Sequence, residues 1–397
     1  MYDEARHETL IEQDWDENRA REAIELIVRG THSRFDARNL WPAHPLDQPG
    51  ADRAKPFKML YFGAAGVIWA LNYLHQVGAT AVLHDYSNSL VELASKNRAD
   101  LNLREPQSFS YLMGDVGIEL VRWRANPSEE LADAIFGAVK SNTTNPAREL
   151  MWGAPGTMLA ALFMLEFTRD DRWKELFLQN VHQISSELVK VNDLGCYTWT
   201  QNLYGQTSLY LGAVHGFAAN LFTIMKGRDF VDPEIIHLMA SLAADTLEHT
   251  AKVEDGYANW APDLGGTKYL IQHCHGAPGM INCLADLPSG LNSEFDHLLI
   301  KGGELIWKAG PLTKGSNLCH GTAGNGYAFL KLYRRTGNQK WLDRARAFAM
   351  HAINQYENHA RQYGQLRYSL WTGDLGLAIY LWDCIKSKAH FPTMDVF

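Results

Sequence analysis

Two kinds of apolar pattern alternate along this chain. In the first, apolar residues recur at three- and four-residue spacing and share one helix face. Trp173, Leu176, Phe177, Val181, Ile184 and Leu188 make one such stripe, and Trp341, Ala345, Phe348 and Ala352 another. Asp232-Pro233 predicts a helix start, an N-cap with proline at the first helical position, opening 235–247. Ser128 predicts a second cap, ahead of Leu131, Ile135 and Val139. In the other kind, a glycine turn leads into a run that is apolar almost all round. Gly63-Ala-Ala-Gly66 leads into 67–71, and Gly153-Ala-Pro-Gly156 into 157–162. The turns at 276–279 and 321–324 lead into 280–284 and 327–332. His215-Gly216 leads into 217–221, with Ala219 where a second glycine would fall, and 373–376 makes a sixth turn.

A helix that is apolar on every side is buried, whereas one with a single apolar face covers something else. Alternation of the two kinds predicts an all-α fold, an α/α toroid with an inner and an outer layer of helices. Its inner helices would run parallel and gather their glycine-rich N-termini at one mouth. Free backbone N–H groups there favour anions and thiolates. Strand-like alternation is scarce, and no proline-rich or Gly/Ser linker divides the chain. The chain reads as an N-terminal unit, 1–56, followed by the toroid, 57–397. In the first unit 17–28 is a helix that packs over the barrel, and 42–56 a loop.

Composition narrows the class. A hydrophobic content of 46% supports a large core, while a net charge of -8 argues against nucleic acid or an anionic membrane as partner. The first fifteen residues are polar and acidic, unlike a signal peptide, and apolar stretches such as 158–167 are too short to span a bilayer. Five cysteines is an odd number for secreted pairing, so the cytoplasm is the expected compartment.

The chemistry concentrates in two near-copies of a tripeptide. Cys274-His275-Gly276 and Cys319-His320-Gly321 each open one of the glycine turns. Two thiols and two imidazoles held on rigid turns make a candidate zinc site. Cys283 and Cys384 fall on inner helices and read as small buried hydrophobes, while Cys196 reads as exposed. Asp374, inside the sixth turn, puts a carboxylate at the mouth, either as a helix cap or to meet a cationic substrate.

At this point the chain resembles the lanthionine synthetase C-like family, from the first glycine turn nearly to the end. The segments that carry the resemblance are Tyr61-Phe-Gly-Ala-Ala-Gly66, Glu149-Leu-Met-Trp-Gly-Ala-Pro-Gly156, Tyr210-Leu-Gly-Ala-Val-His-Gly216, His273-Cys-His-Gly-Ala-Pro-Gly279 and the run 318–330. The resemblance implies one Zn²⁺ per chain, held by Cys274, Cys319 and His320. It implies addition of a thiol to dehydroalanine or dehydrobutyrine to give a thioether. His215 would be the acid, Glu149 would orient it or share its proton, and His275 would lie beside the metal. Lys314 matches a lysine that the stand-alone, glutathione-binding branch uses near its ligand. That branch is the closer match, because the lantibiotic cyclases typically carry tyrosine where this chain has His275. The expected partners are glutathione and a protein or peptide bearing a dehydroamino acid. A cyclase for a ribosomally made peptide and a non-catalytic zinc- and glutathione-binding scaffold are the alternatives. A glycosidase-like reading would pair Glu149 with Asp374 across the mouth, and leaves the Cys-His-Gly turns unexplained.

Overall fold

Among the described residues seven helices, most of them apolar on nearly all sides, form an inner ring: α2 (Ala64–Gln76), α5 (Asp115–Ala125), α7 (Ala154–Thr168), α9 (Phe217–Lys226), α11 (Ala277–Leu284), α13 (Thr322–Thr336) and α15 (Asp374–Lys386). Around them lie α1 (Glu17–Ser33), α3 (Ser87–Leu90) with α4 (Leu93–Leu101), α6 (Glu129–Asn142), α8 (Asp171–Ser186), α10 (Pro233–Thr250), α12 (Phe295–Ala309) and α14 (Gln339–Tyr363). Each inner helix packs on the next, and α15 closes the ring on α2. The predicted α/α toroid is therefore the fold. This computed structural model describes residues 1–48, 55–191 and 194–397. The part of the 42–56 loop from 49 to 54 lies outside the described residues.

Local signals explain the outer helices. The Ser128 hydroxyl accepts the Leu131 N–H at 3.2 Å, and Asp232 accepts the Glu234 N–H at 2.8 Å, each satisfying a free donor of the first turn. Helix α1 packs on α15 and α14. Three short antiparallel hairpins interrupt the helices: β1 (Val189–Val191) with β2 (Cys196–Thr198), β3 (Gln201–Leu203) with β4 (Gln206–Ser208), and β5 (Ala251–Glu254) with β6 (Tyr257–Trp260). Strand β2 packs on α10, which leaves Cys196 fully buried rather than exposed.

The inner ring has seven turns where the sequence pattern suggested six. The additional one is Gly114-Asp-Val-Gly117, which opens α5. Its carboxylate, and Glu119, Arg122 and Arg124 further along the helix, break the apolar run that marks the others. The second glycine of each pair has a steric reason. A Cβ on Gly66, Gly117, Gly156, Gly279, Gly324 or Gly376 would meet the carbonyl oxygen six residues earlier at 1.8–2.3 Å. The preceding turn folds back onto that spot.

Backbone hydrogen bonds link the turns to one another. Tyr61 donates to Leu112 (3.0 Å), Leu112 to Met151 (3.4 Å) and Leu150 to Val214 (3.1 Å). Cys274 donates to Cys319 (3.1 Å), Cys319 to Trp371 (2.9 Å) and Trp371 back to Tyr61 (3.0 Å). Among the described residues this circlet has one opening, between the Val214 turn and the Cys274 turn. The other end of the bore is filled by 388–397. Lys331, fully buried on α13, holds both Asp286 and Asp395 at 2.8 Å. Lys226 on α9 reaches the Asp395 carbonyl at 2.7 Å.

Candidate active site

The sequence gathers its chemistry at the mouth because each reactive residue lies in, or next to, an inner turn. Cys274 and Cys319 sit on adjacent turns joined by the Cys274 N–H to Cys319 carbonyl bond. Both are buried, and their thiols are hydrogen-bonded to each other. The Cys319 S–H donates toward Cys274, and the Gln272 Nε2 donates to Cys274 Sγ at 2.9 Å. Those two donors, in that order of importance around the burial that opposes them, hold the Cys274 thiol below its ordinary pKa. Cys319 is pushed up, first by that same bond and then by burial, although the Tyr61 hydroxyl also bonds to it. The pair therefore loses its first proton readily and its second with difficulty. Gly276 closes this turn with φ of 98°, a left-handed backbone that a side chain would strain.

A second pair faces the thiols. Glu149 is fully buried, and its carboxylate accepts the Met151 N–H (2.9 Å), the Trp152 N–H (2.6 Å) and a bond from His215 Nδ1 (2.9 Å). Burial works against a charged His215, but Glu149, aided by Cys274, outweighs it and raises the imidazole pKa above 6.5. The His275 ring lies 6.1 Å from that of His215, between the dyad and Cys274. Its Nδ1 is buried without a protein partner among the described residues, and burial, then the His215 charge, pushes its pKa down to about 4. It is a neutral imidazole with a free polar atom. Tyr204 and Tyr210 flank His215, with centroids 6.2 and 6.1 Å away.

The rim is cationic. Lys314 is exposed and lies close enough to act on the charge of Cys274, Cys319 and His320. It lines a cleft of ≈ 10 Å³, about one water's space, with His44, His359, Arg367 and Asp374. Residues 1–10 run along the same rim. The Arg6 carbonyl accepts the Thr313 N–H at 3.0 Å, and its guanidinium donates to Gln272 Oε1 at 2.9 Å. Asp374 is fully enclosed in its own turn, accepting the Arg367 N–H at 2.8 Å, and burial raises its pKa to about 7. With Glu149 committed to His215 and Asp374 to a backbone amide, these two carboxylates do not form a glycosidase pair.

His320 follows Cys319, and its own N–H is held by Asn317 Oδ1 at 3.0 Å. Burial, then Lys314, lowers its pKa to about 3, so it is a neutral donor. Among the described residues no three of His, Cys, Asp or Glu stand together in a metal-holding group. In type, the donors fit a soft divalent ion: two sulfurs already in contact, and a neutral imidazole on the residue after one of them. Tyr61, Gln272 and Arg6 were not singled out by sequence reasoning. Tyr61 lies inside the first glycine-turn segment and Gln272 is two residues before Cys274, but only the folded ring shows that both reach sulfur.

Residues 58–396 match the model of a family described as lanthionine synthetase C-like protein. Glutathione S-transferase LANCL1 of Danio rerio is 29% identical over 364 residues, covering 85% of this chain and 84% of that protein. LanC-like protein GCL1 of Arabidopsis thaliana is 40% identical over 133 residues, 32% of this chain and 30% of that one. Among solved structures, nisin cyclase superposes with a TM-score of 0.61 at 16% identity, covering 93% of this chain and 94% of that one; at that identity the likeness concerns the fold.

Proposed function

The chain belongs to the lanthionine synthetase C-like family, and from that premise we propose that it adds the thiol of glutathione to dehydroalanine or dehydrobutyrine residues, forming a thioether. One observation carries the reading: a Glu149–His215 dyad at 2.9 Å faces a buried thiol pair across one mouth. A proton donor opposite a sulfur site is what conjugate addition of a thiol needs. The printed name of the zebrafish relative, a glutathione S-transferase, supports the choice of thiol.

One Zn²⁺ per chain would be held by Cys274, Cys319 and His320; when bound, it lowers the pKa of a thiol and keeps the sulfur nucleophilic at neutral pH. The chain's own residues do the rest. Lys314 and Arg6 offer positive charge to the two carboxylates of a tripeptide thiol. The sulfur forms a bond to the β-carbon of the acceptor, and the alkene pair moves onto the carbonyl oxygen as an enolate. The free His275 Nδ1, in its N–H tautomer, donates to that oxygen. His215, whose imidazolium form Glu149 favours, gives its proton to the α-carbon and regains one from the proton that the thiol shed. The balance is one S–H and one C=C consumed, one S–C and one C–H formed.

The 1–10 segment along the rim, with Arg6 on Gln272 beside Cys274, supports a small free thiol over a cysteine tethered in a long peptide. Free thiols in all five cysteines support a reducing compartment, the cytoplasm. The test is a dehydroalanine peptide incubated with glutathione and the zinc-loaded protein. Wild type should give the glutathione adduct, and His215→Ala should lose about 10²- to 10⁴-fold in rate with metal content unchanged. An equal rate in the variant would turn the reading toward a scaffold. Turnover only of peptides carrying their own cysteine would turn it toward a cyclase.

A further inference from the structure

The thiol pair is braced from behind by residues that play no part in the proposed chemistry. His273 directly precedes Cys274, and its ring is fully buried in the bore. One ring nitrogen, Nδ1, meets the Asn282 amide at 3.0 Å; the other, Nε2, is buried without a partner among the described residues. A single hydrogen bond fixes a point on the ring but leaves the ring free to swing about it. The plane is set by Phe391, stacked on His273 at 4.2 Å and 19°. Phe391 also packs on Trp371 at 5.4 Å, and His273 and Trp371 meet each other at 5.6 Å, so the three rings form a triangle. The Trp371 carbonyl accepts the N–H groups of Leu318 (3.1 Å) and Cys319 (2.9 Å). Phe391 thus touches the residue before Cys274 and the residue whose backbone holds Cys319.

Phe391 is itself held from elsewhere. Its own N–H reaches Asp395 Oδ2 at 2.7 Å, and Asp395 is bound by Lys331 and Lys226. The Thr393 carbonyl accepts the Tyr111 hydroxyl (2.7 Å), and the Trp371 indole donates to the Thr393 hydroxyl (3.1 Å). Phe397 packs on Trp69 at 5.6 Å and on Phe163 at 5.4 Å. The segment is anchored on several sides of the ring, to α2, α7, α9 and α13 and to the turn residues Tyr111 and Trp371.

We propose that Phe391 is a positioning residue for the sulfur site, the third ring of a triangle with His273 and Trp371 that holds the spacing of Cys274 and Cys319 from inside the bore. The proposal rests on the reading of those cysteines as metal ligands. A residue that only filled volume would affect stability and leave the sulfur spacing alone.

The test compares Phe391→Leu with Phe397→Leu. Both lose a buried ring from the same segment, and only the first ring touches the sulfur turns. Zinc affinity is measured by competition with a chromogenic chelator well below the melting temperature, and the cobalt-substituted protein is examined by its visible spectrum. F391L should bind zinc about 10- to 100-fold more weakly, with shifted sulfur-to-cobalt bands. F397L should match wild type in both readouts whatever it does to melting. Wild-type zinc affinity in F391L, or equal weakening in both variants, would overturn the proposal. Phe391→Met carries the same test if F391L does not fold. If the wild-type chain takes up no metal, the zinc reading fails separately. The positioning is then read from iodoacetamide alkylation of Cys274, which should run faster in F391L than in wild type and F397L; equal rates in all three would overturn it.

Discussion

At the scale of single residues, Glu149 decides what His215 can do. Burial alone would lower that imidazole's pKa, and the carboxylate, aided by Cys274, turns the shift upward. A group whose pKa is raised carries its proton at low pH and loses it as pH climbs through the raised value. The rate of addition should therefore fall on the alkaline side as His215 gives up its proton. Glu149→Gln keeps the shape and removes the charge, so burial then governs. Its pH profile should show the alkaline limb at lower pH, with a larger loss at pH 8 than at pH 6, measured on the same dehydroalanine peptide. An unmoved limb would mean that another group supplies the proton. Cys274, Cys319, His215 and Glu149 were legible in the sequence because each sits at a fixed offset from a glycine turn. Tyr61 and Gln272 were not, because what marks them is a sulfur atom across the ring or two residues ahead, and spacing encodes neither.

At the scale of elements, the glycine turn is the unit from which the mouth is built, and its two glycines are not equivalent to glycines elsewhere. A Cβ at Gly156 would lie 2.0 Å from the Leu150 carbonyl oxygen, a backbone atom that cannot swing aside. Gly156→Ala should destabilise by about 1–3 kcal/mol or more as overpacking. Gly137, within α6, has nothing within 4 Å of the same added atom. Gly137→Ala should stabilise by about 0.5–1 kcal/mol, the ordinary gain of alanine in a helix. Chemical denaturation of the two variants beside wild type reads both signs at once. The same unit explains how far the fold could be read in advance. Six turns stood out because apolar runs follow them. The seventh hid behind Asp115, whose carboxylate is paired with Arg98. The toroid followed from helix periodicity, the repeated glycine turn and the family resemblance together, but the count of its spokes required the one turn whose helix is half polar.

At the scale of the whole molecule, the bore is closed by charge as well as by aromatic rings. Lys331 has no exposed surface and two carboxylate partners from different parts of the chain. Lys331→Ala should cost about 1–3 kcal/mol, because Asp286 and Asp395 each lose a charged hydrogen-bond partner while Asp286 stays partly exposed and keeps Arg334. Thermal unfolding of that variant checks the figure, and a loss under 1 kcal/mol would mean that water reaches the site. The mouth at the other end is fastened differently. Its circlet of backbone bonds is a hoop with one cut. A complete hoop widens only by breaking a bond, whereas a cut one flexes about the point opposite the cut. That point is the Tyr61 turn, and the cut falls between His215 on one lip and the Cys274–His275 turn on the other. Among the described residues the span from proton donor to sulfur is thus the one stretch of the rim that no turn-to-turn bond of the circlet crosses. Widening it for a bulkier acceptor breaks none of the circlet's bonds and works instead against the 257–264 segment that ties both lips.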